Sequence, residues 1–75
     1  MMTKYKNTSK KSNVDSYEIG ENDIKLTFQD NEKIYLYNSI KPGKVKVDKM
    51  KLLAIKGEGL NKYINKYVGK NCFIL

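Results

Sequence analysis

The residues best suited to chemistry lie in one short segment, residues 56–62, which reads KGEGLNK. Lys56 and Lys62 supply positive charge, and Gly57 and Gly59 would let a ligand approach the backbone closely. Asn61 can donate a hydrogen bond. A helix beginning here would add unpaired backbone N–H groups, which attract anions. The segment therefore predicts a phosphate-binding site formed by these five residues.

The same segment can also be interpreted as a simple joint between two helices. In that case Gly57 ends the first helix, Gly59 forms the turn and Asn61 caps the second helix. Glu58 counts against an anion site, and the Gly-Lys-Ser/Thr ending of a P-loop is absent. Both interpretations stay open at the level of the sequence.

Three tyrosines could contribute aromatic contacts to a ligand or a partner. Tyr35 and Tyr37 alternate along a predicted strand, and we expect them on its outward face, where they could stack on bases or form an interface. Tyr63, in the predicted second helix, could do the same. Tyrosine is also an ordinary strand former, so a structural role is a further alternative.

Catalytic and metal-binding groups are scarce. The chain has no histidine and a single cysteine, Cys72, so an internal disulfide and an ordinary Cys/His zinc site are excluded. Cys72 has no base to activate it. The acidic residues fall mostly at predicted turns and strand ends. We therefore expect a protein that is not an enzyme and has no metal or cofactor.

The net charge of +7 is unevenly distributed along the 75 residues. Residues 1–12 carry four lysines and no acidic residue, residues 13–38 carry two lysines and six acidic residues, and residues 39–75 carry nine lysines and two acidic residues. Such a field attracts anions. Five lysines of the predicted first helix could contact phosphates or simply form a solvated face: Lys44, Lys46, Lys49, Lys51 and Lys56.

The chain shows no apolar run long enough to cross a membrane and no signal-peptide pattern. With no disulfide, the cytoplasm is the expected compartment, and a membrane partner is not expected. A chain of this size builds only a small core, so we expect homo-oligomerisation to supplement it.

Hydrophobic periodicity predicts the elements that would position these residues. Residues 1–12 are polar and aperiodic, which predicts a basic flexible arm. Alternation of period two predicts three strands. Their inward residues are Tyr17 and Ile19, then Ile24, Leu26 and Phe28, then Ile34 and Leu36.

Two helices follow, because the spacing changes to three and four residues after Pro42–Gly43. Their predicted apolar positions are Val47, Met50, Leu53 and Ala54, then Leu60, Tyr63, Ile64, Tyr67 and Val68. Residues 71–75 form an apolar tail, expected to be an edge strand or a subunit contact. The predicted fold is α+β, a three-stranded antiparallel β-meander followed by two α-helices packed on its aliphatic face.

The order of motifs resembles the KTSC domain, a small domain named from its occurrence at the C-terminus of some lysyl-tRNA synthetases. The resemblance covers about residues 12–70, and we place the domain at residues 13–70. It is carried by SNV at residues 12–14, Ile24-x-Leu26-x-Phe28, the Asp30–Asn31 turn and Tyr35-x-Tyr37. Residues 50–64, MKLLAIKGEGLNKYI, are similar to a segment of small stand-alone, phage-encoded relatives.

These observations lead to three functional expectations. The first is a non-catalytic protein that captures a phosphorylated, nucleotide-like ligand; the phage-type resemblance implies sequestration of a nucleotide signal in the host cytoplasm as an anti-defence role. The second is an RNA- or DNA-binding accessory module that uses the basic C-terminal half. The third is a protein-binding or inhibitor module that uses the tyrosine face and the apolar tail.

Overall fold

The computed structural model describes residues 2–75, so Met1, the first residue of the predicted arm, lies outside the described residues. The chain begins with strands β1 (Thr3–Lys4), β2 (Val14–Ile19), β3 (Asp23–Phe28) and β4 (Ile34–Asn38). Helix α1 (Lys44–Lys56), helix α2 (Leu60–Tyr63), a π-helical segment (Ile64–Val68) and strand β5 (Phe73–Ile74) follow.

The strands form one antiparallel sheet in chain order, β1-β2-β3-β4-β5. The predicted α+β class with an antiparallel sheet is confirmed, and β2–β4 correspond to the predicted meander. The sheet has five strands in residues 2–75 rather than three, because a short strand is added at each edge. At one edge the apolar tail forms β5, which pairs with β4, and the Leu75 N–H donates to the Ile34 carbonyl at 2.8 Å.

The prediction that Tyr35 and Tyr37 lie on the outward face of the sheet is wrong. Tyr37 pairs with Ile24 and Tyr35 pairs with Leu26, and side chains directly opposite each other in an antiparallel pair share a face. Tyr37 is therefore buried in the core at 2% exposure, and Tyr35 packs at the core's edge. Ile34, at 37% exposure, lies on the outer face instead.

The prediction of a flexible arm over residues 1–12 is wrong for the part that contacts the domain. Thr3–Lys4 extends the sheet beside β2. Tyr5 enters the core at 2% exposure, and its backbone N–H donates to the Asp15 carbonyl at 3.0 Å. One large buried aromatic side chain offsets part of the entropy lost on ordering the surrounding polar residues.

Helix α1 buries Val47, Met50 and Ala54 against the sheet, three of its four predicted apolar positions. Gly57 ends it in a left-handed conformation (φ 86°), with its N–H donating to the Leu53 carbonyl at 3.0 Å, as predicted. No helix within residues 2–75 is long and apolar enough to cross a membrane.

Helix α2 starts after Gly59, which also has a positive φ of 84°. The predicted capping role of Asn61 is wrong, because Asn61 is already the second residue of the helix and makes no cap hydrogen bond. The helix widens into the π-helical segment and ends before Gly69. Leu60, Ile64 and Val68 are buried at intervals of four residues. Tyr67, predicted to join them, is turned outward at 51% exposure, because the wider π turn alters the spacing of the buried face.

Candidate functional site

A groove of about 580 Å³ lies between the N-terminal segment and the start of α2, and we call it the lysine groove. Its volume is within the range of small-molecule sites. It contains four of the five predicted phosphate-binding residues, Lys56, Gly59, Asn61 and Lys62. The remaining lining residues are Ser9, Lys11, Ser12, Leu53, Glu58 and Asn65.

The N-terminal wall of the lysine groove is held in place by specific contacts. The Leu60 N–H donates to the Tyr5 hydroxyl at 3.3 Å, and the Thr8 N–H donates to the Gly57 carbonyl at 2.8 Å. The Asn7 side chain closes the turn that follows, donating to the Ser12 carbonyl and accepting from the Ser12 N–H, both at 3.1 Å. The wall is therefore part of the folded domain.

The lysine groove carries a positive charge, with three lysines against one glutamate. Lys56 and Glu58 form an exposed ion pair at 3.5 Å, so their charges offset each other. Within residues 2–75, neither Lys11 nor Lys62 forms an ion pair. These two ammonium groups are the ones available to an anion.

Gly57 does not line the groove, although the sequence placed it in the phosphate site. It is buried, and a Cβ built on it would lie 2.6 Å from the Lys6 Cβ, so no ligand can approach it from that side. The first N–H of α2, that of Leu60, is occupied by the Tyr5 hydroxyl. An anion here would therefore be bound chiefly by side chains.

A second groove, of about 490 Å³, lies between the sheet and the segment that follows α2, and we call it the aromatic groove. Its apolar wall includes Phe28 and Tyr35, whose rings meet edge to face with centroids 5.1 Å apart. Tyr37, which is buried, and Cys72, which is half-buried, also line this groove. Burial raises the pKa of the Tyr37 hydroxyl well above its usual value, and the neighbouring Cys72 side chain adds to the rise.

The two grooves meet at Asn61 and Asn65, which line both. These asparagines are four residues apart and so lie on the same side of the helical segment. Their amides can donate and accept hydrogen bonds along the passage between the lysines and the aromatic rings. Tyr63 lines neither groove and instead packs beside Tyr67, with ring centroids 5.0 Å apart.

Sequence reasoning missed several lining residues. Asn65 could have been found, because it repeats Asn61 at the helical interval of four. The arm residues Ser9, Lys11 and Ser12 carried no such signal, since one tyrosine in a polar segment shows no periodicity. Residues 2–75 contain no group of three or more His, Cys, Asp or Glu side chains that could hold a metal ion.

Comparisons of the chain with models of known protein families, with characterised proteins and with solved structures found no match. The resemblance to the KTSC domain therefore stays a prediction.

Proposed function

We propose that this is a non-catalytic binding protein that captures a phosphorylated, nucleotide-like ligand. The phosphate would occupy the lysine groove and the base would occupy the aromatic groove. The observation that carries the proposal is the continuity of the two grooves through Asn61 and Asn65. A nucleotide has the matching division into an anionic end, a polar sugar and a flat aromatic end.

The phosphate end has suitable donors. Lys11 and Lys62 would act as point charges on the phosphate oxygens. The Ser9 and Ser12 hydroxyl oxygens accept backbone N–H groups at 3.3 and 3.1 Å, which leaves their hydroxyl protons able to point at an anion. Glu58 would remain paired with Lys56.

In this proposal the base of the nucleotide stacks on Tyr35 rather than on Tyr37. Stacking of a base on an accessible aromatic ring contributes about 1–3 kcal/mol. Tyr35 is half-buried and lines the aromatic groove, whereas Tyr37 is too deeply buried to offer a ring face. Phe28 holds the Tyr35 ring in orientation, which limits the entropy lost when a base binds.

The internal contacts of the α1 lysines argue for a small ligand rather than a nucleic-acid strand. Lys44 pairs with Asp48 at 2.7 Å, and Lys46 donates to the Tyr67 carbonyl at 2.8 Å. Lys51 donates to the carbonyls of Gly20 and Glu21 at 2.9 and 3.0 Å. These internal contacts compete with binding to a phosphate backbone, so α1 is a poor track for RNA or DNA.

A capture protein needs no catalytic group, and sequestration of a nucleotide signal in the host cytoplasm is the biological role that the phage-type resemblance suggests. The expected homo-oligomer also stays a prediction. Val45, at 83% exposure, lies on the outer face of α1 with Leu52 and Ile55, and this face could contact a second copy. Sedimentation equilibrium would give the mass of the particle.

The proposal is tested by thermal unfolding with nucleoside monophosphates, cyclic nucleotides and short oligonucleotides at low and high salt. A ligand at 100 times its Kd adds about 2.7 kcal/mol, which raises the Tm of so small a chain by about 10 °C or more. We expect a shift with a small nucleotide that high salt reduces less than it reduces the shift of an oligonucleotide, because stacking of the base is not screened. A shift only with oligonucleotides, lost in high salt, would contradict the proposal and favour the nucleic-acid alternative.

A further inference from the structure

The aromatic groove is also lined by a carboxylate that shares a hydrogen-bond donor with the Tyr35 hydroxyl. The Asn31 side-chain amide donates to the Asp30 carboxylate at 3.2 Å and to the Tyr35 hydroxyl, also at 3.2 Å. Asp30, Asn31 and Tyr35 all line the groove. A base stacked on Tyr35 would therefore present one edge towards the Asp30 carboxylate.

The Asp30 carboxylate retains the capacity to accept further hydrogen bonds. It is exposed, and Asn31 occupies only one of its roughly four lone-pair positions. Within the part of the chain that the structure describes, no lysine forms an ion pair with it. The Asn31 side-chain oxygen is itself occupied by the Lys33 N–H at 2.9 Å, which fixes the orientation of the amide.

The bases differ in what they offer to a carboxylate. Guanine presents two adjacent donors, its ring N–H and its exocyclic amino group, which match the two oxygens of one carboxylate. Adenine and cytosine place an acceptor beside their amino donor, and uracil places its single N–H between two carbonyl groups. A carboxylate therefore favours guanine and repels the acceptors of the other three bases.

We infer that the aromatic groove selects a guanine nucleotide and that Asp30 determines this specificity. The inference rests on the proposed function and adds the identity of the base. Asp30 is the one acidic residue among the described residues that line the aromatic groove, where Lys33 and Lys70 also lie.

The test is calorimetric titration of the full chain with the monophosphates of guanosine, adenosine, cytidine and uridine. We expect guanosine monophosphate to bind about ten-fold or more tightly than the others. Asp30→Asn should weaken that binding by about ten-fold or more, because a charge-assisted pair of hydrogen bonds is lost. Glu32→Gln is the matched control, since Glu32 is exposed in the same loop and does not line the groove.

A ligand that Asp30→Asn binds more tightly than the wild type does would distinguish recognition of the base by residue 30 from a structural effect of the substitution. Asparagine offers one acceptor and one donor, which match the adjacent N–H and carbonyl of xanthine. Asp30→Asn should therefore bind xanthosine monophosphate more tightly than the wild type does. A variant that merely disturbed the loop would gain nothing.

The outcomes distinguish failure of the inference from failure of the proposed function. Equal affinity for the four nucleotides, or unchanged guanosine monophosphate binding in Asp30→Asn, would overturn guanine selection. If Lys62→Ala still weakened all four in that case, the phosphate site would stand. Absence of binding by every nucleotide would overturn both.

Discussion

Tyr5 and Leu60, 55 residues apart in the sequence, are joined by a buried hydrogen bond in which the Leu60 N–H donates to the Tyr5 hydroxyl at 3.3 Å. The bond attaches the N-terminal segment to the first turn of α2. Those two elements form the opposite walls of the lysine groove. The shape of the groove therefore depends on a contact that also belongs to the core.

Removing the Tyr5 hydroxyl tests this contact. Tyr5→Phe should lower the free energy of unfolding by about 1–2 kcal/mol, because the buried Leu60 N–H loses its partner while the ring stays in the core. Urea unfolding followed by circular dichroism gives the change. Tyr67→Phe, which removes a hydroxyl from an exposed ring, should change the stability little. Equal effects of the two substitutions would show that the Tyr5 bond contributes nothing.

Gly57 and Gly59 have nearly identical backbone conformations but different surroundings. Alanine substitutions at the two positions therefore distinguish backbone strain from steric conflict with the N-terminal segment. Gly57 has φ 86° and Gly59 has φ 84°, so alanine is strained at either position, by about 1–2 kcal/mol. At Gly57 the new Cβ would also lie 2.6 Å from the Lys6 Cβ, whereas at Gly59 the nearest atom is a Leu53 methyl at 3.6 Å.

Gly57→Ala should therefore destabilise the protein by about 1 kcal/mol more than Gly59→Ala. It should also speed hydrogen exchange at the Thr8 amide, whose acceptor is the Gly57 carbonyl. Equal losses of stability with unchanged Thr8 exchange would contradict the close packing of the N-terminal segment on Gly57.

Stability should fall at alkaline pH because two buried tyrosines resist ionisation. Burial raises the pKa of Tyr37 and of Tyr5 above the unfolded value of about 10. The contribution of each tyrosine to the free energy of unfolding is fully present below about pH 10. It is lost as the pH rises through the raised pKa of the folded state.

Unfolding in urea at a series of pH values above neutrality measures this loss. Tyr37→Phe, which cannot ionise, should lose less stability than the wild type between neutral and strongly alkaline pH. Tyr67→Phe, with a more exposed ring, is the control and should follow the wild type. Parallel curves for wild type and Tyr37→Phe would contradict burial of the Tyr37 hydroxyl.

The sequence predicted the helices and the central meander because their apolar spacing has one clear period. It could not assign the face of β4, where Ile34 and Leu36 alternate with Tyr35 and Tyr37 and both sets can be buried. A register shift of one residue exchanges the two faces of a strand. In this sheet the register of β3 with β4 determines which face of β4 is buried. Tyr5 was missed because a single buried residue in a lysine-rich segment shows no period.

The sequence also predicted only part of the candidate site, namely the residues that are close together along the chain. Lys56, Gly59, Asn61 and Lys62 are close in sequence and lie together in the lysine groove. Lys11 lines the lysine groove and Tyr35 lines the aromatic groove, and both come from segments distant in sequence that only folding brings to the site. Gly57 was included for its small size, but that space accommodates Lys6.

The stacking role of Tyr35 can be tested without changing charge. Tyr35→Leu retains an apolar side chain at the position but removes the ring, so nucleotide binding should weaken by about ten-fold. Tyr63→Leu is the control, because Tyr63 is half-buried yet lines neither groove. Calorimetric titration with guanosine monophosphate measures both. A larger loss of affinity in Tyr63→Leu than in Tyr35→Leu would contradict stacking of the base on Tyr35.

The central claim is that the lysine groove binds a phosphate, and calorimetric titration with guanosine and with guanosine monophosphate tests it most directly. We predict that the monophosphate binds the wild type about ten-fold or more tightly than the nucleoside, because charge-assisted contacts are added. Lys62→Ala should reduce this preference. Lys49→Ala removes an equal charge from an exposed position outside the groove and should preserve it. Equal affinity for nucleoside and monophosphate, or equal losses in the two variants, would contradict the claim.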